Sequence, residues 1–320
     1  MFPAIFAFLL VTLSCLSEAL EQGLGTLHRR AYFYVGQAYT AQGNLTIAAD
    51  QLYVEHLTPA KVTQPVPLYI VDQVARGRSP WQSSLDGALT SFDTTTIQAI
   101  ITSVEQFQLW PQAVLHTQWP GNGTAGDPVS DQFYASTVPS LDSQDEEAVK
   151  IKNAGSQWHC GSPVILLTHS QGGQFGWILT DSRPKQGKAI VALEPTGPPF
   201  INAVFPPFIP ARLYGLTDIP ITYDSPITSA SDITTAVVGE IPGVACIQQA
   251  KPARKFINII DIPVLADNCT VKYLREADVS VEHISLSEQG IHGNGHIFFM
   301  EKNNIQIARV IEPWISKISR

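Results

Sequence analysis

Ser170 stands where an apolar run breaks off. In "VILLTHSQGGQFGW", residues 164–177, four aliphatic residues lead to Thr168-His169-Ser170, and Gln171-Gly172-Gly173 follows. A serine hydroxyl is a weak nucleophile at neutral pH and needs an adjacent base. A strand that turns sharply into a helix can present such a serine at its corner, with small residues two places to either side. Gly172 fills the place after Ser170, whereas Thr168, a β-branched residue that crowds the turn, fills the one before. The competing reading is an ordinary helix N-cap serine. The apolar strand entering and the apolar helix leaving favour the nucleophile.

The base should follow in the chain, near the C-terminus. "GIHGNGHIFFMEKNN" offers His296 and His292. His296 directly precedes an expected closing helix, after a glycine-rich loop able to aim its ring, and is preferred; His292 is the alternative. The acid that holds the imidazole tautomer has two candidates. Glu194 ends the strand after Ser170, and Asp267 follows the next strand. Strand C-termini are where ligands and catalytic groups collect in open sheets. Glu194 is preferred, with Asp267 as alternative. No metal or cofactor is implied, because Cys and His lack close metal-ligand spacing. His292 and His296 are four apart, but Gly293 and Gly295 disfavour the helix that would align them.

The elements that must position these residues alternate. "RAYFYVGQAY" and "DQLYVEHL" read as strands joined through a Gly-Asn turn region, forming a hairpin. "VPLYIVDQ", "PVILLTHS", "KAIVALEPTGPPF" and "FINIIDIPVL" read as buried strands, the first ending at Asp72 and the third at Glu194. "SVEHISL" adds a short one. Helices are expected over 92–108, "QDEEAVKIKNAG", "GGQFGWILTDSRP", "CTVKYLREADV" and "HIFFMEKNNIQIARVIEPWISK". Residues 118–144 read mostly as loop, and 200–245, rich in Pro and Thr, as a cap over a site. The alternation implies an α/β fold with a mostly parallel central sheet flanked by helices, in one domain over 20–320. Segments 80–145 and 200–250 are its cap-like insertions. Trp110, Trp119, Phe205 and Phe208 within them either line an apolar pocket or form core, the commoner fate of aromatics.

Composition sets outer limits. The chain has 320 residues, 44% of them apolar and only 15% charged, with a formal net charge of −8. Mean hydropathy is +0.06. Such a chain can build a large core. The acidic balance and the lack of a basic run exclude nucleic acid as the main partner. The N-terminus, "MFPAIFAFLLVTLSCLSEAL", carries an apolar block from Ile5 to Leu13 that is too short to span a bilayer. Ser17-Glu18-Ala19 then supplies the small residues of a cleavage site, so residues 1–19 are expected to be a secretory signal peptide. No Lys or Arg precedes Arg29, which makes the n-region a weak one. No other segment is apolar enough for a membrane span. Sequons at Asn44, Asn122 and Asn268 suit a secreted glycoprotein. Cys15 would leave with the signal, and Cys246 and Cys269, which bracket a strand-like run, are the expected disulfide. Cys160 is then left as a buried free thiol.

Taken together, "RRAYFYVGQAY", "YVEHLTP", "VDQVARGRSPW", "HTQWPG", "LTHSQGGQFGW", "ALEPTGPPF", "CTVKYL" and "HGNGHIFFMEKNN" resemble the α/β-hydrolase superfamily. Within it they resemble secreted bacterial and fungal esterases related to an Alcaligenes esterase with a glutamate acid. The resemblance runs over most of the mature chain, and its members also carry Thr-His-Ser-Gln at the serine. It implies Ser170 as nucleophile, His296 as base, Glu194 as acid and the Gln171 amide as an oxyanion donor, acting on a small-molecule ester without a cofactor. Oligomeric state is silent.

The chain departs from that family in one respect. Relatives have a strand, an oxyanion loop and a helix before "VDQ", whereas here "QPVPL" runs straight into "YIVDQ". One strand and the oxyanion loop are therefore expected to be missing. A second, shorter gap is expected between "IPVL" and "ADNC", which makes Asp267 harder to place. Hence a second reading: a catalytically impaired or non-catalytic protein of the same fold, or a gene model that omits coding sequence. Amidase or lactonase chemistry is a third, which a serine triad does not separate from ester hydrolysis.

Overall fold

The computed structural model describes residues 27–36, 38–49, 51–62, 64–70, 79–156, 163–203, 208–241, 244–259, 261–265 and 268–320. The expected signal peptide, Asp72, Cys160, Phe205 and Asp267 lie outside the described residues.

The hairpin forms at the expected place and is longer than two strands. β1 (His28–Val35) pairs antiparallel with β4 (Leu52–Pro59), and β2 (Ala38–Gln42) with β3 (Leu45–Ala49). Gln42 faces Leu45, so Gly43 and Asn44 make the two-residue turn. Among the described residues the central sheet has five strands. They are β5 (Leu68–Ile70), β6 (Val164–Ser170), β7 (Gly187–Pro195), β10 (Asp261–Leu265) and β11 (Ser280–His283). Their order is β11-β10-β7-β6-β5, and every neighbouring pair is parallel. Between β7 and β10 in the chain, β8 (Thr235–Ile241) and β9 (Val244–Gln249) form a separate antiparallel pair.

Helices cover both faces, as parallel sheets require. Alternate residues of each strand point to opposite faces. Val164, Leu166, Ile190 and Ala192 pack against Ile151 of α2 (Gln144–Ser156), Phe175 and Ile178 of α3 (Gly173–Ser182), and Val271 and Leu274 of α4 (Asn268–Glu276). Ile165, Ala189, Val191 and Leu193 pack on the other face against Ile307, Ile311 and Trp314 of α5 (Asn304–Ile318). Each fully buried aliphatic side chain stabilises the fold by about 1.5–3 kcal/mol. The α3 helix is buried along all its residues from Gly173 to Asp181, because it follows Ser170 directly into the core. Cys246 on β9 and Cys269 on α4 form a disulfide with a Cα–Cα distance of 5.5 Å.

Three segments differ from the expectations. Residues 92–108 are not one helix. An α-turn over Thr94–Ile97 runs into a π-turn over Gln98–Thr102, and a further turn spans Val104–Phe107. The break falls at Ser103, whose hydroxyl donates to the Gln98 carbonyl and competes with the helical ladder. Residues 118–144 contain a helix, α1 (Pro128–Ser136). Asp127 caps it by accepting from the amides of Val129 and Ser130, and Pro128 takes the first position, where its missing N–H costs nothing. The closing helix starts later than His296: a 3-10 turn over Phe298–Met300 comes first, and α5 begins at Asn304. No helix among the described residues is long and apolar enough to cross a membrane.

Candidate active site

Ser170, His296 and Glu194 meet in one hydrogen-bonded line. His296 Nε2 is 2.7 Å from Ser170 Oγ, and His296 Nδ1 is 2.9 Å from Glu194 Oε2. A carboxylate only accepts, so Nδ1 carries the proton and Nε2 accepts from the serine hydroxyl. That arrangement lets a proton leave Oγ for the ring while the carboxylate steadies the resulting charge. The His296 side chain is 10% exposed and that of Glu194 45%.

The serine sits at a strained corner. Its φ is +52°, in the left-handed region, at the last residue of β6. A non-glycine residue there costs of order 1–3 kcal/mol and needs support from its surroundings. Part of that support is the Thr196 amide, which donates to the Ser170 carbonyl at 2.9 Å. Close packing of the departing helix supplies more. A Cβ on Gly173 would overlap Pro195 at the end of β7. The crowding expected from Thr168 is met on the same helix. A Cβ on Gly176 would stand 3.1 Å from the Thr168 methyl, so the small residue that accommodates Thr168 is one turn into α3.

Glu194 reaches the ring through an irregularity in β7. His169 pairs with Leu193, but Ser170 pairs with Pro195, so Glu194 is the extra residue of a bulge. Its φ of +40° fits that placement. Bulges re-aim a side chain, and this one sits beside buried Leu193 and Pro195 while Glu194 stays accessible.

A residue that sequence reasoning missed supports the His296 segment. His169 Nε2 donates to the His296 carbonyl at 2.8 Å, and the two rings lie 4.6 Å apart. Phe298 and Phe299 meet the His169 ring edge-on. Burial, and then the charge of His296, lower the His169 pKa to about 4, so this ring is neutral near pH 7. Its only signal in the sequence was its place beside Ser170.

The remaining expected residues fall as follows. Gln171 follows Ser170 at the mouth of α3, and its side chain donates to Glu147 at 2.7 Å. His292 is exposed, and it is the ring of His296 that meets Ser170. Asn44, Asn122 and Asn268 are all exposed. Trp119 is core: it is 4% exposed, packs on Phe133 and donates to Ser130. Trp110 is half-buried and Phe208 is exposed. A cleft lined by Thr40, Ala49, Leu85, Val149 and Lys150 lies between the hairpin and α2 and includes none of these residues. Among the described residues, no group of three or more His, Cys, Asp or Glu side chains is placed to hold a metal ion.

No protein-family model matches the chain. In its fold the chain is similar to a novel bacterial esterase solved at atomic resolution. The TM-score is 0.53 at 16% identity, over 92% of this chain and 98% of that one. It is also similar to the probable secreted lipase phiG of Fungal sp. (strain ATCC 74256), at 37% identity over an aligned stretch of 336 residues that covers 90% of this chain and 89% of the relative. The matched stretch exceeds this chain's own 320 residues, so the relative carries residues within it that this chain lacks. At that identity and coverage, the chain belongs to the family of lipase- and esterase-like hydrolases that includes phiG.

Proposed function

We propose that the protein is a secreted serine hydrolase of carboxylic esters, acting through Ser170, His296 and Glu194. The observation that carries this reading is the hydrogen-bonded line from Ser170 Oγ through the His296 ring to Glu194, with the serine at φ +52°. Ser170 Oγ attacks the ester carbonyl as its proton passes to His296 Nε2. The tetrahedral intermediate collapses, the C–O bond to the alcohol breaks, and His296 returns the proton to the departing oxygen. Water, activated by the same ring, then cleaves the acyl-enzyme and regenerates Ser170. The Gln171 amide, at the mouth of α3, supplies one donor to the oxyanion. The names borne by phiG and by the bacterial esterase support an ester substrate. The apolar N-terminal block and phiG's name support export, with residues 1–19 removed and 20–320 as one domain. Exposed sequons at Asn44, Asn122 and Asn268 suit a glycoprotein.

One observation favours the impaired reading. Among the described residues β5 spans Leu68–Ile70 and is the outermost strand of the sheet, with Leu68 44% and Ile70 74% exposed. Among the described residues no strand pairs on the outer side of β5, where the expected strand and oxyanion loop would lie, and phiG is longer within the matched stretch. Loss of one oxyanion donor costs on the order of 3 kcal/mol of transition-state stabilisation.

The deciding experiment is labelling of the secreted protein with a fluorophosphonate probe beside Ser170→Ala. Labelling and ester turnover that vanish in the variant support the enzyme. A folded sample that neither labels nor turns over ester supports the impaired reading.

A further inference from the structure

A second line of hydrogen bonds lies behind the loop that carries His296. His116 is buried between two carboxylates. Its Nδ1 is 2.9 Å from Glu105 Oε2 and its Nε2 is 2.8 Å from Glu301 Oε1. Both partners accept, so both ring nitrogens donate and the ring is an imidazolium. Burial pulls its pKa down, but the hydrogen bonds and charges of Glu301 and Glu105 outweigh burial and hold it above the ordinary value. The Glu301 side chain is itself 1% exposed. It also accepts from the Gly295 amide at 2.8 Å and from the Asn294 amide side chain at 2.6 Å.

Gly295 is the residue before His296. A Cβ there would stand 3.0 Å from His116 Nε2 and 3.1 Å from Glu301 Oε1, so the loop backbone lies against the pair itself. The segment after His116 holds the same loop at both ends. The amides of Thr117 and Gln118 donate to the Gly293 carbonyl at 2.8 and 3.1 Å, and the Lys302 amide donates to the Gln118 carbonyl at 3.0 Å. His296 thus lies between two fastened points. Without the cation, the buried Glu301 carboxylate would lose the charge that opposes its own and would move. The Gly295 bond would move with it.

We propose that His116 is a positioning residue for His296: held between Glu105 and Glu301, it fixes the Gly295 backbone and so the reach of the His296 ring to Ser170. The inference rests on the triad reading above. A misplacement of about 1 Å at a reacting group can cost about 100-fold in rate.

The test compares the whole chain with its His116→Gln and Glu105→Gln variants on p-nitrophenyl butyrate, with active sites counted by fluorophosphonate titration. The expected result is a kcat per titrated site lower by about 30- to 100-fold in His116→Gln and by about threefold in Glu105→Gln, with KM within about twofold. The downfield proton resonance of His296 Nδ1–H, identified by its loss in His296→Ala, should shift or broaden in both. A merely structural role would lower the melting temperature and the number of titratable sites. It would leave kcat per site and the resonance as in the wild type, and that result overturns the proposal. The Glu105 side chain is 33% exposed, so its variant decides the matter if His116→Gln does not fold. Should the wild type lack ester turnover, the triad reading fails by itself. The His296 resonance then decides, and an unchanged resonance in both variants overturns the proposal.

Discussion

Of the three residues of the proposed triad, Glu194 is the most accessible to water. Its side chain is 45% exposed, so the Glu194–His296 attraction is screened more than a buried pair would be. In the proposed mechanism its larger contribution is to hold the tautomer in which Nε2 faces Ser170. Glu194→Gln should therefore lower kcat by about 10³-fold with little change in KM, less than the loss expected of a buried acid. Steady-state kinetics with fluorophosphonate titration checks this, and a kcat within threefold of the wild type would remove Glu194 from the mechanism. In the sequence both Glu194 and Asp267 stand at expected strand ends; the bulge that turns Glu194 toward the ring is not visible in the linear order.

At the scale of elements, the junction of β6, α3 and β7 sets the serine's geometry. Gly173 touches Pro195 where any side chain would overlap it, and Pro195 adjoins Glu194. Gly173→Ala should push α3 from β7, destabilise the fold by about 1–3 kcal/mol and lower kcat as well. Urea denaturation and kinetics together measure both effects; a variant with unchanged midpoint and kcat would show that the junction tolerates the shift. The Cys246–Cys269 disulfide closes a loop of 23 residues between a hairpin and α4. Replacing both cysteines by alanine should cost about 3 kcal/mol, chiefly through a freer unfolded chain, and a calorimetric melt reads it directly. Catalysis should survive, because neither cysteine belongs to the β6, α3 and β7 junction.

Across the whole molecule, the half-buried His169 and the buried His116 should make stability depend on pH in opposite senses. His169, facing His296, Phe298 and Phe299, has its pKa lowered from 6.5 to about 4 by burial and then by the His296 charge. Below pH 6.5 the unfolded chain takes up this proton first, so stability is lost as pH falls from about 6.5 toward 4. His116, facing Glu105 and Glu301, has a raised pKa: burial lowers it, but the two carboxylates prevail. Its contribution is fully present below pH 6.5 and is lost as pH rises through the raised value. Melting temperature should therefore peak near pH 6.5. His169→Phe should flatten the acid limb and His116→Gln the alkaline limb; limbs unchanged in these variants would assign the dependence to other groups.

How far the site was legible follows from how local each part is. Ser170 could be read because strand, turn and helix are contiguous and each has its own period of apolar residues. The buried strands β6 and β7 were legible for the same reason. The helix Pro128–Ser136 was not, because Asp, Pro and Gly, read as loop residues, are also the residues that cap a helix start. The sequence by itself determined the α/β alternation, the strand-turn-helix context of Ser170, the preference for His296 and Glu194, and the disulfide partners. Only the tertiary structure brought the ring of His296, not that of His292, to Ser170, because residues 126 apart must meet for that choice to be made. It alone joined His116 to Glu301 across 185 residues, since a buried ion pair leaves no periodic trace in either segment.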